Sequence, residues 1–556
     1  MTDPVLHIDG LSVRTAGARS SRRILDNVSF EVRQGETVCV VGESGSGKSV
    51  TALSTMGLLP RGSLAADDGI LRVMGEDVLR ADEQRMRELR ATRMSMVFQE
   101  PMTALNPVEP VGVQIDEVLR LHTKLARAER RERVLDMLDA VHLPDVGSIY
   151  AAYPHQLSGG QRQRIVISMA LILRPKLLIA DEPTTALDVT TQKQILALIR
   201  ELQEKNDTAV MFITHDFGVV FEIADRIVVM NGGRVVEQGG RDEILARPRE
   251  PYTRMLVTSV PSLVPHPRSA PGGKAVLDVA ALNKTYVENR FLGRRRTVPA
   301  AQDVTFSVRR GEIVGIVGES GSGKSTVARC IVRLVEASSG AIRVNGSDIL
   351  DAAGRPLRAL RRHFQIVFQD PYRSLNPRKR VGDSLLEGVL NFGVPKERAL
   401  KRVEELLRLV GLDQSVMQRY PHQFSGGQRQ RICIARAIAV EPDVLVADEA
   451  VSALDVSVQA QVLKLFDEIR ARTGIAIVFI THDLRVAAQV CDSIIVMHKG
   501  RIVESGPAES ILTDPRDAYT RALIDAAPGR DWDFQNCRPV ARAEGRFIPA
   551  MPAAPP

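Results

Sequence analysis

The chain has 556 residues, of which 44% are hydrophobic and 25% charged, and 74 lysines and arginines stand against 67 aspartates and glutamates. This composition is that of an ordinary globular protein and excludes a chain whose main state is disordered. The net charge of +7 comes with only 4% aromatic residues, which is weak support for nucleic-acid binding. A solvated surface, an anionic membrane surface and a phosphate-rich ligand are all compatible with that charge.

The five cysteines are scattered along the chain and form no Cys-x-x-Cys pair. An odd number without such pairs argues against a disulfide framework or a zinc site and favours a reducing compartment. The first residues lack the cationic and apolar segments of a secretory leader, and no apolar run approaches the ~18 residues of a membrane-spanning helix. We therefore expect a cytosolic protein, unless another subunit recruits it to a membrane.

Short apolar runs, each followed directly by a polar motif, predict buried strands over Thr37–Val41, Leu177–Ala180 and Ala209–Ile213. The segment between residues 116 and 140 is charged and helically periodic, which predicts helices there. Further along, Asn231-Gly232 separates two apolar runs and is typical of a hairpin turn. Alternating strands and helices indicate the α/β class.

The chain contains a long internal repeat. The nine residues Val41–Ser49 recur letter for letter as Val317–Ser325, and three further motifs recur in the same order. Four motifs at so long a period indicate two duplicated domains in tandem rather than short solenoid units. The other repeated motifs are Ser158–Arg164 with Ser425–Arg431, Ala180–Glu182 with Ala447–Glu449, and Ile213–Asp216 with Ile480–Asp483.

Composition suggests the domain boundaries. Residues 261–273 contain four prolines and two glycines, which predicts an extended linker. The last residues end in a short Pro-rich stretch, for which we expect a loose tail. The predicted organisation is a first domain over 5–260, a linker over 261–273, a second domain over 274–530 and a tail over 531–556.

Two glycine-rich stretches, residues 42–49 and 318–325, each follow an apolar run. Glycines there let successive backbone N–H groups surround phosphate oxygens, and the lysine reaches the β and γ oxygens while the serine after it holds Mg²⁺. One such stretch could be an ordinary turn, but two of them predict two nucleotide sites. The predicted nucleotide-binding residues are Gly42, Ser44, Gly45, Gly47, Lys48, Ser49 and Val50, and Gly318, Ser320, Gly321, Gly323, Lys324, Ser325 and Thr326.

An Asp-Glu pair ends a buried strand in each domain, and a histidine follows the next strand. The aspartate can position Mg²⁺ and the glutamate can polarise water for attack on a γ-phosphate. Alone, such acids are more often helix caps or ion-pair partners, but the spacing to the histidine is the same in both domains and ties all three to one site. These residues are Asp181, Glu182 and His215, and Asp448, Glu449 and His482.

Leu157–Gln161 and Phe424–Gln428, both ending in Ser-Gly-Gly-Gln, resemble the signature sequence of ABC-transporter ATPases. Together with the motifs above, the resemblance covers nearly all of residues 5–525. It implies two tandem nucleotide-binding domains, each with a RecA-like core, an antiparallel β subdomain and a helical subdomain. Further residues that carry it are Gln99 and Gln369, Ala186-Leu187-Asp188 and Ala453-Leu454-Asp455.

The resemblance also implies residue roles. The two modules would form a head-to-tail sandwich in which the signature of one closes the ATP site of the other, with Asp188 and Asp455 crossing the interface. Glu182 and Glu449 would be general bases, and the histidines would contact the γ-phosphate. The signature residues are Ser158, Gly159, Gly160 and Gln161, and Ser425, Gly426, Gly427 and Gln428; the implied metal ligands are Ser49, Gln99 and Asp181, and Ser325, Gln369 and Asp448.

The segments 98–107 and 368–377, which both end in Leu-Asn-Pro, are similar to the permease-facing segments of peptide-importer ATPases. Pro251-Tyr-Thr253 and Ala518-Tyr-Thr520 are similar to the dipeptide, oligopeptide and glutathione uptake group, which includes nickel and opine systems. The resemblance thus implies an ATPase that energises peptide import at the cytoplasmic face of the membrane. Its implied partners are two transmembrane permeases and an extracytoplasmic solute-binding protein, without nucleic acid.

Other functions of such an ATPase stay open, including uptake of glutathione, nickel or opines. An efflux ATPase is disfavoured by the Leu-Asn-Pro segments. A ribosome- or DNA-associated ATPase is disfavoured because the chain lacks the long charged linker, the coiled-coil insertions and the zinc-binding cysteines of those relatives.

Three departures from the family pattern stand out. Thr15 occupies the place of an aromatic ring that stacks on adenine, a role that Tyr286 fills in the second module, so the first site is expected to bind ATP more weakly. Ala450 replaces the usual proline after Glu449, which we expect to be neutral, with both sites active. Many relatives carry a cysteine cluster near the end of the module, where this chain offers Cys537 alone, and we expect no iron–sulfur centre.

Overall fold

The computed structural model describes residues 3–16, 22–99, 104–185, 187–266, 268, 272–289, 295–452, 454–540, 542–543 and 546–547. The chain divides into two compact units, Met1–Val260 with Asn536–Arg538 and Pro261–Gln535 with Pro539–Pro556. In the described part of the chain, no helix is both long enough and apolar enough to cross a membrane.

The first unit contains a mixed six-stranded sheet and an antiparallel four-stranded sheet. The strands of the larger sheet lie in the order β10-β9-β3-β8-β7-β6, all parallel except β10, and those of the smaller in the order β2-β1-β4-β5. The strands are β1 (Leu6–Thr15), β2 (Arg23–Val32), β3 (Thr37–Val41), β4 (Leu64–Val73), β5 (Glu76–Asp77), β6 (Met94–Val97), β7 (Leu177–Asp181), β8 (Ala209–Ile213), β9 (Arg226–Asn231) and β10 (Arg234–Gly240).

Helices cover the sheet and form a separate group between β6 and β7 in the sequence. The helices of the first unit are α1 (Lys48–Thr55), α2 (Glu83–Thr92), α3 (Val111–His122), α4 (Arg127–Ala140), α5 (Val146–Ala151), α6 (Gly159–Leu171), α7 (Val189–Asn206), α8 (Phe217–Ile223), α9 (Arg241–Ala246) and α10 (Pro251–Thr258). Of these, α3 to α6 contact one another and make the helical subdomain.

The second unit repeats this arrangement, with sheet orders β16-β17-β18-β13-β19-β20 and β12-β11-β14-β15. Its strands are β11 (Ala275–Asn289), β12 (Arg295–Arg309), β13 (Ile313–Val317), β14 (Ser339–Val344), β15 (Ser347–Asp348), β16 (Phe364–Val367), β17 (Val444–Asp448), β18 (Ala476–Ile480), β19 (Ser493–His498) and β20 (Arg501–Pro507). Four two-residue strands follow: β21 (Trp532–Asp533), β22 (Arg538–Pro539), β23 (Arg542–Ala543) and β24 (Arg546–Phe547).

The helices of the second unit follow nearly the order of the first, with the 3₁₀ helix Gln414–Gln418 in the place of α5. They are α11 (Lys324–Ile331), α12 (Gly354–Leu360), α13 (Pro371–Ser374), α14 (Val381–Asn391), α15 (Lys396–Leu409), α16 (Gly426–Ile438), α17 (Val456–Thr473), α18 (Leu484–Val490), α19 (Ala508–Thr513) and α20 (Ala518–Ala526). The prediction of an α/β fold with two tandem modules of this kind is confirmed.

The central strands owe their position to uninterrupted apolar sequence. All five residues of β3 and of β8 are buried, as parallel strands covered on both faces require. In the first unit one apolar core joins residues of both sheets and of α1, among them Leu6, Val38 and Ala52. Because the parallel strands end at one edge of the larger sheet, the motifs that follow them are brought together there.

The hairpin at Asn231-Gly232 is confirmed, since β9 and β10 pair antiparallel with Arg234 opposite Asn231. The helical prediction over 116–140 is confirmed as parts of two helices, α3 and α4, with a break between His122 and Arg127.

The segment 261–273 differs from the extended linker that its prolines predict. Ser262 and Leu263 are buried. Arg268 donates two hydrogen bonds to the Asp467 carboxylate, at 2.9 and 3.0 Å, and one to the Gln489 carbonyl oxygen at 2.7 Å. The prolines limit the backbone, but apolar and guanidinium side chains can still bind to a folded surface, which a composition count does not register. Residues 267 and 269–271 lie outside the described part.

The tail prediction is wrong for its first residues. Trp532, Asp533 and Phe534 are buried, with Phe534 fully inaccessible to solvent. The Pro-rich end dominated the prediction, whereas two aromatic side chains a few residues earlier offer enough apolar surface to be held. Residues 541, 544–545 and 548–556, nearly half of the expected tail, lie outside the described part.

We predict that Arg268→Ala lowers the free energy of unfolding of the second unit by about 1–3 kcal/mol, because it removes charge-assisted hydrogen bonds from a half-buried carboxylate. The measurement is thermal unfolding of the full chain, monitored by calorimetry. Arg355→Ala, at an exposed position on α12, is the matched control and should leave the transitions unchanged. Equal effects of the two substitutions would contradict the anchoring role of Arg268.

Candidate functional site

The first glycine-rich stretch, residues 42–49, forms the turn between β3 and α1 and is called here the first phosphate loop. Gly42 and Gly47 have φ values of 150° and 106°, in the region that glycine adopts without strain. A Cβ on Gly42 would lie 2.2 Å from the Met230 carbonyl oxygen on β9. The loop therefore requires glycine at Gly42 both for its dihedral angle and for space.

Lys48 is the first residue of α1 and its side chain turns back into the loop. Its Nζ donates hydrogen bonds to the carbonyl oxygens of Gly42, at 2.7 Å, and Glu43, at 2.9 Å. The residue is only 7% exposed, and a buried ammonium group must be compensated. The loop carbonyls supply this compensation and hold the charge where phosphate oxygens would bind.

The second phosphate loop, residues 318–325, has the same geometry. Gly318 and Gly323 have φ values of 147° and 104°, and Lys324 Nζ donates to the carbonyl oxygens of Gly318 and Glu319, each at 2.8 Å. The remaining predicted nucleotide-binding residues lie in the same two loops or in the first turn of the helices: Ser44, Gly45, Ser49 and Val50, and Ser320, Gly321, Ser325 and Thr326.

The residue after each lysine contacts the acidic pair. Ser49 Oγ lies 3.3 Å from Asp181 Oδ1, and Ser325 Oγ donates to Asp448 Oδ1 at 2.9 Å. Burial raises the pKa of both aspartates, and the serine hydrogen bond opposes that rise. A hydroxyl and a carboxylate beside a phosphate loop form the kind of oxygen donor set that binds Mg²⁺ with the help of substrate phosphates. The side chains therefore fit this ion.

Glu182 lies directly after β7 with a strained backbone. Its φ of 48° is in the left-handed region, which costs a non-glycine residue about 1–3 kcal/mol. The turn places one carboxylate oxygen 3.1 Å from His215 Nδ1 and the other 2.9 Å from Gln99 Nε2. His215 and Gln99, both predicted from the sequence as site residues, thus meet at the Glu182 carboxylate.

The second unit brings the corresponding residues together in the same way. Glu449 has a φ of 49°, Gln369 Nε2 donates to its carboxylate at 2.7 Å, and His482 Nδ1 lies 3.4 Å from it. Strain at the same position in both units points to a functional reason for holding the carboxylate at this edge of the sheet.

The glutamates are held ionised although most of each side chain is removed from solvent. Burial by itself raises the pKa of Glu182, but the hydrogen bond and charge of His215, together with the Thr185 hydroxyl and the Lys48 charge, outweigh it, and the net pKa lies below its usual range. Glu449 is affected in the same way by His482. Burial lowers the pKa of His482, but Glu449 outweighs this and raises it overall. An ionised carboxylate can accept the proton of a water molecule.

The signature residues start a helix in each unit. Ser158 Oγ accepts a hydrogen bond from the Gln161 backbone, and the Gln161 side chain accepts one from the Ser158 backbone, which forms a capping box at the start of α6. Ser425 and Gln428 do the same at the start of α16. The glycines Gly159, Gly160, Gly426 and Gly427 form the first turns of these helices.

Sequence reasoning missed a hydroxyl that contacts the first glutamate. Thr185 Oγ1 donates to Glu182 Oε2 at 3.0 Å, whereas the corresponding Ser452 Oγ donates to the backbone carbonyl of Glu449 at 3.1 Å. The signal was available, because a hydroxyl residue follows the glutamate by three positions in both units. The two glutamate carboxylates therefore differ in one hydrogen bond from a hydroxyl side chain.

The two residues at the expected adenine position also differ. Thr15 ends β1, and its hydroxyl accepts a hydrogen bond from the Arg22 backbone N–H at 3.0 Å. Tyr286 lies on β11, and the Lys284 ammonium group is 5.0 Å from the centre of its ring. Asp188 caps the start of α7 by accepting a hydrogen bond from the Thr191 N–H, and Asp455 occupies the N-cap position of α17. Residues 100–103, Ala186 and Ala453 lie outside the described part.

Comparison with known families agrees with this site. The model "ABC transporter" matches residues 25–185 and 301–452, which is more than half of the chain. The chain therefore belongs to the ABC transporter family, as a double-module ATP-binding subunit with ATPase activity. As a transporter component it works with membrane permeases. A second model, "Oligopeptide/dipeptide transporter, C-terminal region", matches residues 236–295 and 503–540 and identifies the peptide-uptake group.

Three curated relatives carry the name glutathione import ATP-binding protein GsiA. Those of Escherichia coli O157:H7 and Shigella dysenteriae serotype 1 are each 46% identical to this chain over 94% of its length and 89% of their own. That of Pectobacterium atrosepticum is 45% identical over 95% of this chain and 90% of its own. Among solved structures, the dimeric ATP-binding cassette MJ0796 is 27% identical over 42% of this chain and 98% of its own, with a TM-score of 0.39.

We predict that Gly318→Ala lowers nucleotide affinity at the second loop far more than Gly321→Ala. The first substitution puts a methyl group 2.2 Å from the Met497 carbonyl oxygen, whereas Gly321 has no atom within 4 Å and adds only the strain of its φ of 80°. That strain is about 1–2 kcal/mol. The measurement is equilibrium dialysis of labelled nucleotide against the full chain. Equal losses in the two variants would contradict the steric argument.

Proposed function

We propose that this chain hydrolyses ATP at two sites to energise the uptake of small peptides, with glutathione the first solute to test. The carrying observation is that each unit joins a complete phosphate loop to a strained, ionised glutamate held by histidine and glutamine. Support for the solute class comes from the match to the oligopeptide/dipeptide model and from relatives named for glutathione import.

In the proposed reaction the loop backbone and Lys48 bind the phosphates of ATP. The ammonium group leaves the carbonyl oxygens of Gly42 and Glu43 and turns to the β and γ oxygens. The second loop does the same through Lys324. The residues proposed to hold Mg²⁺ are Ser49, Gln99 and Asp181, and Ser325, Gln369 and Asp448. Bound Mg²⁺ supplies positive charge that stabilises the oxygens of the transferred phosphoryl group.

Glu182 is proposed to accept a proton from the attacking water. As the water oxygen bonds to the γ-phosphorus, the bond to the bridging oxygen breaks, and ADP and inorganic phosphate form. His215 and Gln99 fix the two carboxylate oxygens, so the base needs no rearrangement before it acts. The histidine is also proposed to contact the γ-phosphate, with His482, Gln369 and Glu449 in the same roles at the second site.

Family membership supports the proposal that the signature residues of each module close the ATP site of the other. Closing and reopening would then move two transmembrane permeases, to which a solute-binding protein outside the membrane delivers the peptide. The chain would lie at the cytoplasmic face of the membrane through these permeases. Nucleic acid has no part in this cycle.

We predict that Glu182→Gln and Glu449→Gln each lower ATP turnover. A general base contributes about 10²–10⁴-fold, so the altered site should be nearly silent, and the double variant should lose at least ~100-fold. If the two sites act independently, each single variant keeps about half of the activity. Turnover is measured as phosphate release, with the exposed Glu132→Gln on α4 as control. Unchanged turnover in either single variant would contradict the proposal of two active sites.

We predict that the tagged full chain, purified from detergent-solubilised membranes, retains two multi-pass permeases at stoichiometric amounts. In vesicles rebuilt with those permeases and their solute-binding protein, glutathione or a small peptide should raise ATP turnover above the level without solute. The Glu182→Gln/Glu449→Gln double variant is the control for coupled hydrolysis. Recovery with ribosomes or DNA alone would contradict transport while leaving the ATPase chemistry standing.

A further inference from the structure

Each phosphate loop has one contact that neither its own sequence motif nor the proposed reaction explains. The Glu43 backbone N–H donates a hydrogen bond to the Tyr252 hydroxyl at 3.2 Å. In the second unit the Glu319 N–H donates to the Tyr519 hydroxyl at 3.1 Å. Each tyrosine lies in the first turn of a helix near the end of its unit, on α10 and α20 respectively. The contact thus joins two segments about 200 residues apart in the chain.

A strand glutamate fixes the turn that presents each tyrosine. In the second unit the Glu504 carboxylate, on β20, accepts hydrogen bonds from the backbone N–H groups of Arg516 at 2.8 Å and Asp517 at 3.2 Å. The Asp517 side chain then caps α20 and accepts a hydrogen bond from the Tyr519 N–H at 2.8 Å. The His498 ring lies edge-on to the tyrosine ring, with centres 4.0 Å apart.

The first unit uses the same kind of anchor. The Glu237 carboxylate, on β10, accepts hydrogen bonds from the backbone N–H groups of Arg249 at 2.8 Å and Glu250 at 3.2 Å. Pro251 follows as the first residue of α10 and fixes its starting φ angle. α10 and α20 share the sequence Tyr-Thr-Arg in their first turns, and both helices place the tyrosine hydroxyl on the loop.

The contact acts on a residue whose carbonyl oxygen also holds the lysine. The carbonyl oxygen of Glu43 accepts a hydrogen bond from Lys48 Nζ at 2.9 Å, while its N–H is bound by Tyr252. When Lys48 turns to phosphate, the tyrosine hydroxyl still holds the Glu43 N–H, and the Ser46 N–H still donates to the Glu43 carbonyl oxygen at 3.1 Å. A loop whose N–H groups must point at phosphate binds more tightly if its shape is fixed beforehand.

We propose that Tyr252 and Tyr519 are positioning residues for nucleotide, each holding the phosphate loop of its own unit in its binding shape. This inference rests on the proposed ATPase function and deepens it. Both tyrosines lie in the regions that match the oligopeptide/dipeptide C-terminal model. That region, which lies outside the residues matched by the ABC transporter model, therefore acts directly on the nucleotide site.

The test is the pair of substitutions Tyr252→Phe and Tyr519→Phe, which remove the hydroxyl and keep the ring. Each should weaken binding of the Mg²⁺ complex of AMP-PNP at its own site by about 3- to 10-fold, the range that one hydrogen bond of ordinary net strength supports. The KM for ATP should rise by a similar factor while kcat stays within about twofold. Glu504→Ala, which frees the turn before α20, should change affinity in the same direction as Tyr519→Phe.

Tyr150→Phe is the matched control, because the Tyr150 hydroxyl has no hydrogen bond to another described residue and its ring packs under Arg131. It should leave affinity and KM unchanged, and the melting temperature without nucleotide should be the same in all three tyrosine variants. Unchanged affinity in both test variants would overturn the inference, and so would an affinity loss matched by a fall in melting temperature. A parent chain that neither binds nor hydrolyses ATP would instead overturn the proposed function.

Discussion

Each unit holds a lysine ammonium group inside a loop of backbone carbonyl and N–H groups. Much of the rest of the unit depends on this requirement. Lys48 and Lys324 are nearly inaccessible, and their charge is compensated by carbonyl oxygens that lie within the loop itself. Such a loop needs glycines at positive φ, a buried strand to start from and a helix to end on. The apolar run of β3, the close approach of Gly42 to β9 and the short helix α1 all follow from that requirement.

A second constraint is the position of a charged carboxylate at the edge of an apolar sheet. Glu182 and Glu449 follow strands whose residues are all buried, and each accepts a left-handed backbone. The cost is about 1–3 kcal/mol for each residue. This cost is offset locally, because the turned backbone lets His215 and Gln99 form hydrogen bonds with the two carboxylate oxygens of Glu182. The same turn lets the Glu182 N–H donate to the Ile213 carbonyl oxygen on the neighbouring strand β8. Strain and hydrogen bonds together leave the carboxylate little freedom.

Most of the fold and of the site could be predicted from the sequence because the information is local and occurs twice. A five-residue apolar run such as Thr37–Val41 can hardly be anything but a buried strand when a glycine-rich stretch follows it. The rest depended on contacts between distant segments. Neither the hydrogen bond from Arg268 to Asp467 nor that from the Glu43 N–H to Tyr252 leaves a periodic pattern in the sequence. Trp532 and Phe534 were misjudged because the prolines after them outweighed two aromatic side chains.

The two sites have nearly the same backbone geometry and differ in some of the side chains around it. Loop angles agree within a few degrees, and the lysine, serine, glutamine and histidine contacts recur in both units. The first site has Thr185 on its glutamate and Thr15 at the expected adenine position, whereas the second has Ser452 on a backbone carbonyl and Tyr286 on β11. Bonds to the base affect the chemical step, while a ring beside adenine affects affinity. With the roles proposed for these residues, we expect the first site to be favoured in holding its base and the second in holding its nucleotide, so the order in which the sites fill can differ from the order in which they hydrolyse.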